Sequence, residues 1–383
     1  MIPLAVPNLA GNEERYLREC VETNFVSSVG PFVERFEQMV AEISGGRHAV
    51  ATTSGTTGLH VALTAIGVAR DDLVILPSMT FIASANAISH CGATPWLFDV
   101  EPESWTLDSD QVSACLRTET ERRDGVVIHK PTGRRVAAIL PVYTLGLPAR
   151  MSNLTSLARE YGLPIVADAA AALGATFEGR PPAALGADLS VFSFNGNKTV
   201  TAGGGGAVVG DGKVLCDLVR HLTTTARSDS DYTHDRIGFN YRMTNLEGAI
   251  GCAQLERVDA YVEAKRAIAN RYNNALTDLA GVEAFPAPEW AESACWFSGV
   301  TLTPPDAPAV AEIVPTLVDR GIGVRHFWKP VHLQAPYADA PRETLVTTEA
   351  LWQRVLTLPC STNLSAEDQA RVVAELRACV DAA

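Results

Sequence analysis

From about Ala49 to Gly210 the chain alternates apolar runs of four or five residues with longer stretches whose apolar positions recur at helical spacing. Short apolar runs set between helix-period stretches predict a parallel α/β sheet. The runs are His48–Thr52, Leu73–Leu76, Pro95–Asp99, Val136–Leu140, Pro164–Ala167, Leu189–Phe192 and Gly206–Val209. Most hand over at the C-terminal end to polar, Gly or Pro residues: Ser54-Gly55, Pro77-Ser78, Asp99, Pro141, Asp168 and Ser193. In an open α/β sheet that edge is where ligands bind. The co-occurrence of Ser54-Gly55, Asp168 and Ser193 there is a stronger signal than any one of them alone.

Between the runs, Leu59, Ala62, Leu63 and Ile66 mark one helix, and Asn86 to Ser89 belongs to another. A long amphipathic helix is expected next, with Leu246, Ile250, Ala253, Tyr261, Ile268, Tyr272 and Leu279 on one face. Beyond Gly281 prolines punctuate the chain before a helix around Val310–Arg320 and a last one from Ser365. The expected division is a large α/β domain over 1–250, then 251–383 as a linking helix and a smaller C-terminal α+β domain. A length of 383 residues exceeds what one compact core usually supports, in keeping with that division.

Composition narrows the classes. Hydrophobic residues make up 47% and charged residues 20%, an ordinary globular balance. The net charge of −13, without a basic stripe, argues against nucleic acid as a partner and leaves a locally bound anion open. The eight cysteines share no C-x-x-C spacing, which favours reduced thiols in a cytoplasm. The N-terminus, with two prolines and no basic segment, is not expected to be a signal peptide, and no apolar stretch reaches membrane-spanning length. The histidines show no metal-ligand spacing, and Asp229-Ser230-Asp231 lacks the Gly and Glu of a calcium loop, so it reads as solvated loop.

Candidate chemistry sits at the strand ends. Ser54-Gly55-Thr56-Thr57-Gly58 is placed to cradle a phosphate at a helix N-terminus, or to be a plain N-cap. Lys198 follows the Leu189–Phe192 run and precedes Gly203–Gly206, where backbone can be approached closely; Asn197 and Ser193 break the Walker pattern. Asp168, among small apolar neighbours, is either a buried carboxylate in need of a partner or a helix cap. Phe81 is free to stack on a ring or to pack in the core, and His326 and His332, flanking Trp328, line a pocket or a packed loop. An amine and a carboxylate at neighbouring strand ends suggest pyridoxal phosphate chemistry, one group for the aldehyde and one for the ring nitrogen.

Together these segments resemble the DegT/StrS family of pyridoxal-phosphate-dependent sugar aminotransferases, of the type I aspartate-aminotransferase fold. The resemblance runs through Asn24–Gly30, Thr53–His60, Pro77–Phe81, Asp168–Ala170, Phe192–Lys198, His221–Thr224 and Gly238–Asn245. The Phe194–Lys198 and His221–Thr224 wording is similar to the LegC-like branch, which implies a UDP-linked 4-keto-6-deoxy-N-acetylhexosamine as substrate and an amino acid, glutamate, as donor. The fold implied is a mostly parallel seven-stranded sheet with a smaller C-terminal domain. By the same resemblance Lys198 takes the cofactor aldehyde and moves the proton, and Asp168 keeps the ring nitrogen protonated. Ser54, Gly55, Thr56 and Ser193 bind the phosphate, Phe81 stacks on the ring, and Asn240 arrives from a second copy in a homodimer. Ser27, Ser28, His326 and His332 would face the nucleotide sugar. One departure stands out: Ala171 occupies a position where the family carries Gln, His or Glu near the ring hydroxyl. A sugar dehydratase of the same cofactor, in which histidine replaces the lysine, and a non-catalytic regulator that senses the cofactor or a sugar nucleotide are the competing expectations.

Overall fold

The structure, a computed structural model, describes residues 1–229 and 231–381. Ser230, within the stretch read as solvated loop, lies outside the described residues. Each of the seven apolar runs forms a strand: β1 (His48–Thr52), β2 (Leu73–Pro77), β3 (Thr94–Phe98), β4 (Arg134–Ile139), β5 (Val166–Asp168), β6 (Leu189–Ser193) and β7 (Gly206–Gly210). Side-chain alternation explains why they read as continuous apolar runs. Leu73 and Ile75 enter one core cluster and Val74 and Leu76 the other, so both faces of the sheet are covered.

The sheet order is β1-β7-β6-β5-β4-β2-β3. β2 pairs in parallel with β3 and β4, and β5 with β6. The parallel bridges Ile139 to Ile165 and Val142 to Asp168 join β4 to β5. Among these seven strands β7 runs against its neighbours, pairing antiparallel with β1 and β6, and a hairpin of Thr120–Arg123 and Val126–His129 pairs antiparallel with the start of β4. The expected mostly parallel seven-stranded sheet is therefore borne out. Its register sets Thr52 opposite Gly206 and Gly206 opposite Ser193, and Asp168 beside Val191. The strand ends singled out above thus share one edge.

The long helix expected across Leu246 to Leu279 is instead two, Asn245–Leu255 and Val258–Leu276, with Leu279 beyond the second. The break falls where Glu256 is held by the N-terminal helices: its carboxylate accepts hydrogen bonds from Tyr16 Oη at 2.6 Å and Asn12 Nδ2 at 2.7 Å and pairs with Arg35. Arg257 leaves helical geometry at φ −120°. The apolar spacing continues in phase across the break, so periodicity alone does not reveal it.

Beyond the second helix a four-stranded antiparallel sheet forms from Val282–Ala284, Ser298–Leu302, Val355–Leu358 and Arg325–His326, in that spatial order. The helices Val310–Asp319 and Ala366–Val380 cover it, the latter capped by Ser365. Val300, Leu302, Leu356, Leu317 and Leu376 make a separate core with Ile268 and Tyr272 of the preceding helix. Among the described residues no helix is long and apolar enough to cross a membrane.

Candidate active site

The N-cap reading of the Ser54 segment holds. Ser54 caps the helix Gly55–Ala65: its hydroxyl accepts from Thr57 N at 3.1 Å, and Thr57 Oγ1 accepts from Ser54 N at 3.0 Å. That reciprocal pair leaves the first N–H groups of the helix, at Gly55 and Thr56, without intrahelical partners by geometry, and the helix dipole favours an anion there. Close packing dictates the glycines. A Cβ on Gly55 would lie 2.9 Å from Ser193 Cβ and 3.3 Å from its hydroxyl, and one on Gly206 would lie 2.5 Å from the Ser54 backbone. The Ser193 hydroxyl therefore joins the helix N-terminus in one concave, donor-rich corner.

Asp168 ends β5 and is 6% exposed. Its Oδ2 accepts from Ser84 Oγ at 2.7 Å and its Oδ1 from Ala170 N at 3.1 Å, while Ser84 shares a further hydrogen bond with Thr80. Burial pushes the Asp168 carboxyl above its usual range, against the two hydrogen bonds and the charge of Lys198. Burial likewise pulls the Lys198 ammonium down to about 8, with Asp168 opposing it. The Lys198 Nζ lies 3.5 Å from the centre of the Trp296 ring, and the Trp296 indole N–H donates to Asn197 O at 2.8 Å, which fixes the ring under the amine.

Asp168, Lys198, Ser193, Ser54, Gly55, Thr56, Phe81 and His326 line a single cavity of about 420 Å³. Phe81 is not in the core: it is 54% exposed at the rim, 6.0 Å from Trp328. Four of the predicted residues lie outside the cavity lining of this one chain. Asn240 is exposed, bridged to Thr224. Ser27 is exposed and its carbonyl accepts from Asn245 N, and Ser28 beside it is half-buried. His332 is buried away from the cavity, its Nδ1 2.7 Å from Ser78 Oγ, so the two histidines flanking Trp328 part company.

Sequence reasoning missed Ser84, Trp296 and Tyr143, all at or next to the cavity. Ser84 and Trp296 carry no local signal, because their partners lie 84 and 99 positions away. Tyr143 was findable: it follows Pro141-Val142, a strand end already marked.

The arrangement fits a phosphorylated, cationic-ring aldehyde. It offers an anion corner of backbone and hydroxyl donors, a buried carboxylate without a full counter-charge, and an amine with a lowered proton affinity, all facing one volume. Comparison with known proteins agrees. Residues 7–377 match the DegT/DnrJ/EryC1/StrS aminotransferase family. The chain is 36% identical over 377 residues to a GDP-perosamine synthase of Caulobacter vibrioides, covering 98% of this chain and 97% of that one. A GDP-perosamine synthase of Escherichia coli O157:H7 is 34% identical, covering 96% and 95%. Among solved structures, DesI with its TDP-sugar product superposes with a TM-score of 0.87 at 31% identity, covering 99% of this chain and 92% of that one. The chain belongs to the DegT/DnrJ/EryC1/StrS aminotransferase family; it is an aminotransferase, and its cofactor is pyridoxal phosphate.

Proposed function

We propose that this aminotransferase moves an amino group from an amino acid, glutamate first, to the 4-keto carbon of a 6-deoxy nucleotide sugar, in the service of amino-sugar and cell-surface glycan biosynthesis. That the substrate is a nucleotide sugar is supported by the names of the relatives and the TDP-sugar product of DesI. For the nucleotide, the GDP-perosamine synthases favour a GDP-linked sugar, whereas the Phe194–Lys198 wording favours a UDP-linked N-acetylhexosamine.

When bound, pyridoxal phosphate supplies an aldehyde that carries the amine and a ring that accepts the electron pair left on the substrate carbon. The chain's own residues do the rest. Ser193 and the Gly55–Thr56 N–H groups would hold the phosphate, and Ser54 would keep that helix end in place. Asp168 would hold the proton on the ring nitrogen, and that proton would give the buried carboxylate a counter-charge beside that of Lys198. Lys198, with a proton affinity near neutrality, would bind the aldehyde and then take and return the substrate proton. Phe81 would cover one ring face. His326 and the exposed Arg325 at the mouth suit a diphosphate.

A homodimer would bring Asn240 and the Ser27–Ser28 segment to a neighbour's cavity. The support is the company they keep: Phe25, Val26, Val29 and Ile237 are exposed apolar residues on the same two segments.

The single observation that carries this proposal is that Lys198 and Asp168 face one cavity with a helix N-terminus at Ser54–Thr56 and the Ser193 hydroxyl at its side. Incubating the cofactor-loaded enzyme with glutamate tests it, with expected release of one equivalent of 2-oxoglutarate and loss of the visible cofactor band. GDP-, UDP- and TDP-linked 4-keto-6-deoxy sugars are then offered and the amino sugar sought by mass spectrometry. A product that has lost a hydroxyl without gaining an amine would make the chain a dehydratase. Tight cofactor binding with no oxoglutarate from any amino acid would make it a sensor.

A further inference from the structure

We infer that the Tyr143 hydroxyl is the hydrogen-bond donor that meets the ring oxygen of bound pyridoxal phosphate. The inference rests on the cofactor assignment above and assigns the one polar atom of that ring for which no partner has yet been named.

Tyr143 is 1% exposed, and its hydroxyl is buried with no hydrogen-bond partner among the described residues. An orphaned phenol in a protein interior is costly unless something satisfies it. Tyr143 lines the same cavity as Asp168, Ala171 and Lys198. Of the described residues whose buried side-chain polar atoms lack partners, it is the one in that lining. Its place is fixed by the sheet. Val142 pairs with Asp168, and Tyr143 N donates to Asp168 O at 2.9 Å, so the phenol and the carboxylate spring from adjacent parallel strand ends. The turn that follows packs onto the Ala171 backbone: a Cβ on Gly146, at φ +92°, would lie 2.7 Å from Ala171 O. Ala171 itself presents only a methyl group to the cavity.

The chemistry of the cofactor completes the argument by elimination. Its ring nitrogen suits Asp168, its aldehyde suits Lys198, and its phosphate suits the Ser54–Thr56 and Ser193 corner. The ring oxygen remains, an anionic acceptor when the bound aldehyde is condensed. Ser84 is not free to meet it, being occupied by Asp168 and Thr80. Burial pushes the Tyr143 phenol well above its ordinary range, so it stays protonated and able to donate throughout the working pH range. A donor on that oxygen draws charge away from it and weakens its hold on the neighbouring nitrogen's proton. The visible band of the bound cofactor should therefore change at a lower pH than it would without Tyr143.

The test is Tyr143→Phe, which removes one oxygen from a tightly packed ring. The cofactor-free variant should melt at the same temperature as wild type or higher, since a buried unpaired hydroxyl is gone. Titrated with pyridoxal phosphate, it should bind about tenfold more weakly. The pH midpoint of its visible band should rise by about one pH unit. With 3-deoxypyridoxal phosphate, which lacks the ring oxygen, wild type and variant should bind alike. Unchanged affinity and an unchanged band midpoint would overturn the inference. So would a tenfold loss that persists with the deoxy cofactor, because the phenol would then act through packing alone. A wild-type protein with no visible band that depends on Lys198 would instead sink the cofactor assignment, which keeps the two failures distinguishable.

Discussion

The two ends of the cavity are built on different principles. At the inner end Asp168, Ser193 and Ser54 sit on or directly after strands whose register fixes them against one another. Each is also tied down by its own hydrogen bonds or by close packing. At the mouth, Arg325 and His326 are exposed on a two-residue strand of the smaller sheet, and Phe81 is half in solvent. The inner end is rigidly placed by the sheet, as a site for a constant ligand would need to be. The mouth, made by loops and assembled across separate core clusters, is where a variable ligand would be told apart.

The largest effect that could break this contrast is at Lys198. Replacement by alanine should lower amine transfer by at least about 10³-fold and abolish the visible cofactor band, read by absorbance and oxoglutarate release. Retention of the band would mean that the inner end is not where the cofactor attaches.

A pair of variants sharpens it. Ser193→Ala should weaken pyridoxal phosphate binding by about tenfold through loss of one donor to an anion, while leaving the Michaelis constant for the nucleotide sugar within about twofold. Arg325→Ala should do the reverse, raising that Michaelis constant by about tenfold while glutamate still converts the cofactor at the wild-type rate. If both variants shifted both quantities together, the two ends would act as one unit and the contrast would fail.

The same contrast explains what could be read from the sequence. All seven strands and the sheet-edge position of Ser54, Asp168 and Ser193 were legible, because apolar runs and their polar ends are local signals. Lys198 was legible from its glycine-rich surroundings. The partners that tune these groups were not: Ser84 reaches Asp168 from the helix Ile82–His90, and Trp296 reaches Lys198 from the far side of the chain. No spacing rule connects them, since tertiary packing alone brings them together. Misreading two helices as one had the opposite cause. The apolar period stays in phase across Glu256, and the break coincides with long-range contacts of its carboxylate to Asn12, Tyr16 and Arg35, which no local spacing reveals. His326 and His332 looked equivalent in sequence, yet Ser78 captures one of them.

The smallest effect concerns the charge of the inner end before cofactor binds. Burial lowers Lys198 from its ordinary value of 10.5 to about 8, so between those pH values the unfolded chain holds a proton that the folded chain has released. Stability of the cofactor-free protein therefore rises with pH across that window, and the cost of the buried ammonium is fully present below pH 8. Lys198→Met lacks this group. Its advantage over wild type should be greatest below pH 8 and shrink toward pH 10.5, by something of order 1 kcal/mol once solvent screening at a partly exposed side chain is allowed for. The Trp296 face and the Asp168 charge both favour the ammonium, which keeps the change modest. Because methionine also alters packing, the informative quantity is the slope against pH in denaturant titrations, not the offset. A gap that widened as pH rose would mean that the cavity stabilises the charged amine, and that the inner end is tuned to hold a cation instead of a nucleophile.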